Sequence, residues 1–246
     1  MKKDFSEGAR DSLPIAAGYF SVSFTFGIMA ASMGIDPITS GIISLTNVTS
    51  AGQFAGIELI SAGCSYIELF LTQLIINLRY GLMSLTLSQK LSEKTRLWQR
   101  FLIAFGNTDE IFAVAVSQDR DVTPAYMAGL EIPPILSWTA GTLLGAFFMN
   151  LLPYYIQSAL GIALYGMFIA IVLPPAREKK EVLGVVLLAC LCSVGFKYLP
   201  VLRNISGGFS IIIVTLLCAG LGAWLFPVNE DSSPAGDEFP EREESV

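Results

Sequence analysis

Apolar runs near 20 residues long recur down this chain and are separated by short polar turns. Eight can be marked out, at 13–33, 38–62, 66–88, 101–118, 125–150, 156–173, 182–199 and 209–226. About 20 apolar residues span a bilayer core as a helix, so the pattern predicts an all-α integral membrane protein. Two runs have polar centres. The second reads Thr46-Asn47-Val48-Thr49-Ser50-Ala51-Gly52-Gln53 in its middle, and the fourth carries Asn107, Thr108, Asp109 and Glu110 between apolar ends. As one helix the fourth would be about 27 Å long, short of a ~30 Å core. Polar, glycine-containing stretches at membrane depth predict broken or re-entrant helices. The expected architecture is about six crossing helices plus these two segments, and an inverted repeat is compatible with the pair.

Local signals refine the pattern. Gly34 and Asp36-Pro37 make a turn. In the third segment Gln73, Asn77, Tyr80, Ser84 and Ser88 follow at spacings of 4, 3, 4 and 4 and share one face, whereas Arg79 lies on another. Pro133-Pro134 predicts a kink or break in the fifth segment. Gly141 and Gly145 form a small-xxx-small pair suited to close helix packing. The N-terminal MKKDFSEGARDS reads as a polar interfacial lead, with Asp11 or Ser12 capping the first helix and Pro14 in its first turn. The sixth segment is expected to stop at Pro174-Pro175, with a loop over 177–181.

Composition agrees. Of 246 residues, 53% are hydrophobic and 15% charged, against about 25% charged in soluble domains. Mean hydropathy is +0.60. No cleavable leader is evident, because acidic and basic residues alternate through Asp11. The formal charge of −6 comes from the tail, whose 227–246 stretch holds seven acids and one base. The domain reading is therefore a transmembrane body over 1–226 and an acidic, disordered cytoplasmic tail over 227–246. Basic residues also bear on topology. If all eight segments cross, the two sides receive seven and six. If 38–62 and 101–118 enter and leave on one side, the split becomes eleven against two, with both termini inside.

The chain has no histidine, which removes the commonest metal ligand and any Ser-His or Cys-His nucleophile pair. Neither a cofactor nor a metal site is expected. Cys64, Cys190, Cys192 and Cys218 read as small buried hydrophobes. Two adjacent carboxylates in an apolar segment cost roughly 2.5–3.5 kcal/mol each on insertion scales, so Asp109 and Glu110 belong where protein or water surrounds them. They stand about 100° apart on a helix and share a cavity only if that helix is broken or edge-on to it. Their chemistry suits recognition of an amine or, as a coupled pair, carriage of a proton. Arg79 suits a carboxylate held bidentately or a counter-ion for these acids. Gln53 sits where a half-helix N-terminus would meet an anion. Glu131 precedes the proline pair and is a further cavity candidate. Glu58 and Glu68 read as interfacial. Phe20, Phe24, Phe26 and Phe54 would supply either an apolar side-chain pocket or plain packing.

Several motifs occur together in a fixed order: Pro14-Ile15, F-x-F-G over 24–27, A-G-Q-F over 51–54, N-L-R-Y over 77–80, and F-G-N-T-D-E-I-F-A over 105–113. Together they resemble the AzlC family, the large subunits of bacterial branched-chain amino acid exporters. The resemblance implies a multi-pass inner-membrane permease working with a small hydrophobic AzlD-type subunit and exporting leucine, isoleucine, valine and sometimes methionine. It points to Gln53, Arg79, Asp109 and Glu110; the expected substrate-binding set adds Asn77 to these, and Asp109 and Glu110, as a coupled pair, are also expected to couple protons. The chain departs from common family forms at Tyr80, where many members have histidine, and at Asn107, where leucine is frequent.

The expected activity is therefore secondary export of small zwitterions with apolar side chains, driven by protons or the membrane potential. No nucleotide-binding G-x-x-x-x-G-K-[ST] motif appears. A scaffold subunit without transport is the alternative. An intramembrane hydrolase would need a further paired carboxylate or a metal, so no enzyme is expected.

Overall fold

The computed structural model describes residues 2–151, 153, 155, 166, 169, 172–202 and 204–227. Among them the chain is helical, with one isolated bridge between Leu91 and Val122. The helices are α1 (Lys2–Asp11), α2 (Leu13–Ser32), α3 (Pro37–Thr46), α4 (Ala51–Ser61), α5 (Tyr66–Lys90), α6 (Leu97–Gly106), α7 (Asp109–Val116), α8 (Pro124–Phe148), α9 (Lys180–Tyr198) and α10 (Gly207–Leu225). Residues 172–178 are also helical. The sixth expected segment lies mostly outside the described residues, as does the acidic tail from residue 228.

Both segments with polar centres are broken, at 47–50 between α3 and α4 and at 107–108 between α6 and α7. The caps around them follow from sequence. Asp36 accepts from the backbone N–H groups of Ile38 and Thr39 and starts α3, with Pro37 in the first turn. Thr108 caps α7 and Thr123 caps α8, each through its side chain.

Helix α8 is the central post. Helices α1 and α2 pack along it, α3 and α6 lean on it, and α10 packs on α5. Glycines allow backbone-to-backbone approach along this seam. A Cβ at Gly8 would strike the Tyr126 carbonyl of α8, and one at Gly129 the Phe5 carbonyl of α1. A Cβ at Gly27 would strike the Thr142 carbonyl, and one at Gly145 the Phe24 carbonyl. The Gly141–Gly145 pair thus serves the close packing expected of it.

Three expectations are corrected. The N-terminal lead is helix α1, because Gly8 and Gly129 let it lie against α8 while Glu7 pairs with Arg120 at 2.8 Å and Asp11 accepts from Tyr126 at 2.8 Å. Pro133-Pro134 does not break α8, which continues to Phe148. The carbonyl of Gly129, which Pro133 cannot donate to, accepts from Ser12 Oγ at 3.4 Å. The helical run at 172–178 passes Pro174-Pro175 instead of stopping there. Glu68, expected at the interface, is covered by protein: it accepts from Ser206 Oγ at 2.5 Å and from the Gly208 N–H at 3.0 Å, at the positive end of α10. The four cysteines are free, and of them only Cys218 is fully buried.

Length and hydropathy together mark α2, α9 and α10 as spans, with mean hydropathies of 1.5, 1.7 and 2.1. They qualify three of the six crossings expected. Helices α5 and α8 have 25 residues each, about 37 Å at 1.5 Å per residue, and polar side chains lower their hydropathy.

The seam gives a direct test. Gly145→Ala should lower thermal stability in detergent by about 1–3 kcal/mol through overpacking. Gly81→Ala, where an added Cβ meets nothing, should leave it equal or higher. Equal melting of both variants would contradict the close approach.

Candidate functional site

The break between α6 and α7 decides where the two acids point. Because α7 begins at Asp109, both carboxylates stand in its first turn, next to unpaired backbone N–H groups that favour negative charge. Asp109 Oδ2 lies 2.8 Å from Arg79 Nη2 on α5, and both side chains are about half exposed, at 45% and 50%. Glu110 Oε2 accepts from Tyr19 Oη of α2 at 2.6 Å, and that hydroxyl is also 2.6 Å from Thr108 Oγ1. The Arg79 guanidinium carbon sits 5.1 Å from the Tyr80 ring centroid.

These groups line one cavity of about 690 Å3. That volume lies within the range of small-molecule sites, about 300–1,000 Å3. Pro14, Ile15, Val22, Val48, Ile76 and Trp138 form its apolar wall. Ser50 and Ala51, at the start of α4, line it too. Two half-helix N-termini, one from each broken segment, therefore reach the same space. Ser50 holds φ 31° and ψ −86°, a left-handed conformation unusual for serine and of the kind that marks functional loops.

Charges and wall differ in firmness. Half-exposed as it is, the Arg79–Asp109 bridge is worth about 0–1 kcal/mol where water reaches it. The wall is held by a buried chain of hydrogen bonds. Trp138 Nε1 donates to Gln53 Oε1 at 2.6 Å, Gln53 Nε2 donates to Ser44 Oγ at 2.9 Å, and Ser44 Oγ and Thr142 Oγ1 share a bond of 2.7 Å. Every member of that chain is at most 2% exposed. Leaving one buried group unpaired costs about 1–3 kcal/mol, so this link ties both halves of the first broken segment to α8. Tyr19 packs edge-on against Trp138, with ring centroids 5.2 Å apart.

The sequence-derived positions fall into two groups. Arg79, Asp109 and Glu110 meet in the cavity. Gln53 and Asn77 are not on its wall. Gln53 stands behind Trp138, and Asn77 donates to Gln73 Oε1 at 3.1 Å behind Gly52. Glu131 is buried against Gly106, away from the cavity lining. Phe26 and Phe54 pack on each other in a separate cluster. Tyr19, Tyr80, Ser50 and Trp138 escaped notice as site residues. An aromatic ring in an apolar run carries no signal until its partners are known.

Comparison with known proteins agrees with this architecture. The AzlC protein family model matches residues 14–152, the stretch holding both breaks and the cavity. The chain belongs to the AzlC family. Inner membrane protein YgaZ of Escherichia coli K12 is 33% identical over 184 residues, covering 72% of this chain and 75% of that one. An uncharacterized membrane protein of Archaeoglobus fulgidus is 33% identical over 177 residues, covering 71% and 77%. No solved structure matches. The AzlC chain described here is accordingly a membrane protein with a transport-related role.

Thiol labelling tests whether the cavity is wet. In a cysteine-free background, Ile76→Cys should react with a membrane-impermeant methanethiosulfonate reagent, since thiolates form in water. Leu74→Cys, on the apolar outer face of α5, should not. Equal labelling of the two would contradict a water-filled site enclosed by a lipid-facing helix.

Proposed function

We propose that this chain is a secondary transporter subunit exporting branched-chain amino acids, leucine, isoleucine and valine, with methionine as a further substrate. The observation that supports it most is the division of one cavity into charged and apolar halves. Arg79, Asp109 and Glu110 offer both signs of charge within reach of an α-amino acid's two ends. Pro14, Ile15, Val22, Val48 and Ile76 offer an aliphatic surface to its side chain. The α-carboxylate would meet Arg79 or the start of α4 at Ser50–Ala51. The α-amine would displace Arg79 from Asp109 and reach Glu110.

The energetics favour exchange over capture. A half-exposed ion pair opens at little cost, and the incoming zwitterion replaces both of its partners. A buried pair would resist this by several kcal/mol. Membership of the AzlC family supports the substrate class. Transport would draw on the proton gradient or membrane potential. A small hydrophobic AzlD-type subunit would complete the exporter in the bacterial cytoplasmic membrane. The positive-inside count supports six crossings with both termini cytoplasmic.

Efflux from proteoliposomes containing this chain and its small partner tests the reading. Asp109→Asn should abolish leucine export while the protein still inserts and purifies. Efflux close to wild type from that variant would remove Asp109 from the mechanism.

A further inference from the structure

We infer that Glu131, on α8 beneath the joint between α6 and α7, is the carboxyl that binds and releases the coupling proton. This rests on the transport reading above and goes beyond it, because Asp109 and Glu110 already hold partners of their own.

Glu131 is 6% exposed, and its Oε1 has no hydrogen-bond partner. Its carboxyl group sits against Gly106, where a Cβ would lie 2.7 Å from both Cδ and Oε2. Gly106 is the last residue of α6, so the acid touches the backbone where the helix breaks. Asn107 follows, and its buried Oδ1 is likewise without a partner. Two orphan oxygens thus flank one joint, at the carbonyl end of a half-helix, which repels an anion.

Of the charged and titratable groups on the surrounding helices, Lys2, Lys3 and Arg10 of α1 form no ion pair with Glu131, and the others have partners elsewhere. On α1, Glu7 pairs with Arg120, Asp11 accepts from Tyr126, and Asp4 accepts from Thr123. On α6, Arg100 donates to Ser88. On α7, Asp109 pairs with Arg79 and Glu110 accepts from Tyr19. No cation neutralises Glu131 among the described residues. An ionised carboxylate so placed is far more costly than the neutral acid. The conformation described here therefore suits the protonated form. Releasing the proton requires water or a new donor at the joint, and that requires Gly106 and Asn107 to move. They carry α7, and with it Asp109 and Glu110, so proton release is tied to the geometry of the substrate cavity. A glycine at position 106 is what leaves room for the acid.

Two readouts on full-length protein test this. In proteoliposomes with the small partner, leucine efflux by the wild type should rise several-fold under an inward proton gradient. Glu131→Gln, which keeps the shape, should export at equal rates with and without the gradient. Infrared spectroscopy of the purified chain at neutral pH should show the carbonyl stretch of a protonated carboxyl. That band should be lost in Glu131→Gln and kept in Glu110→Gln. A gradient response like wild type in Glu131→Gln, or an unchanged band, would overturn the assignment. A response of the wild type to sodium in place of protons would also overturn it. If the wild type moves no amino acid at all, the transport reading falls and the coupling role falls with it. The infrared band would still report whether Glu131 holds a proton.

Discussion

Backbone amides that leave a helix at membrane depth must find other hydrogen-bond partners, because lipid offers none. Side-chain hydrogen bonds beside two helix breaks organise the protein. Both broken segments lie against the polar face of α5. Gln73 Nε2 donates to the Gly52 carbonyl at 2.8 Å beside the first break, and Asn107 Nδ2 of the second break lies 3.4 Å from Ser84 Oγ. The face bearing Gln73, Asn77 and Ser84 is a support for two joints. Once the joints are supported, each leaves a half-helix N-terminus free to enter the same cavity. Asp109 and Glu110 remain consecutive residues of α7, and both reach the cavity because they stand at its N-terminal end.

The cavity then combines parts of unequal stiffness. Its apolar wall is fixed by the buried link from Trp138 through Gln53 and Ser44 to Thr142, and by glycines that bring α2 against α8 at backbone distance. Its charges sit at the wet side in pairs that exchange partners at low cost. A site that must bind and then release its cargo needs this division. On the proposed transport reading, a rigid wall would set which side chain fits, while labile charges would let a zwitterion enter and leave. Gln53 contributes to the wall and not to the contact surface, because both ends of its amide are already occupied.

Sequence reasoning reached the breaks and the ionic centre because both leave local marks. Polar runs interrupt apolar ones at 46–53 and 107–110, and lone charges in such runs need shelter. It missed what depends on distant partners. Helix α1 is polar and short, and only the approach of Gly8 to Tyr126 and of Gly129 to Phe5 across the fold reveals what it packs against. The protein cover over Glu68 was not legible because its partners, Ser206 and Gly208, come about 140 residues later. Proline 133 looked like a breaker because the hydroxyl that serves the freed Gly129 carbonyl belongs to Ser12. Tyr19 and Trp138 carry no local mark, because what distinguishes them is the reach of their polar atoms to Glu110 and Gln53.

Ligand-induced stabilisation of the purified protein tests most directly whether one cavity grips both ends of an amino acid. Melting should rise with leucine, and neither leucinamide, which lacks the carboxylate, nor 4-methylpentanoate, which lacks the amine, should reproduce the rise. Equal stabilisation by all three compounds, or none by leucine, would contradict a site built from Arg79, Asp109 and Glu110 around a zwitterion.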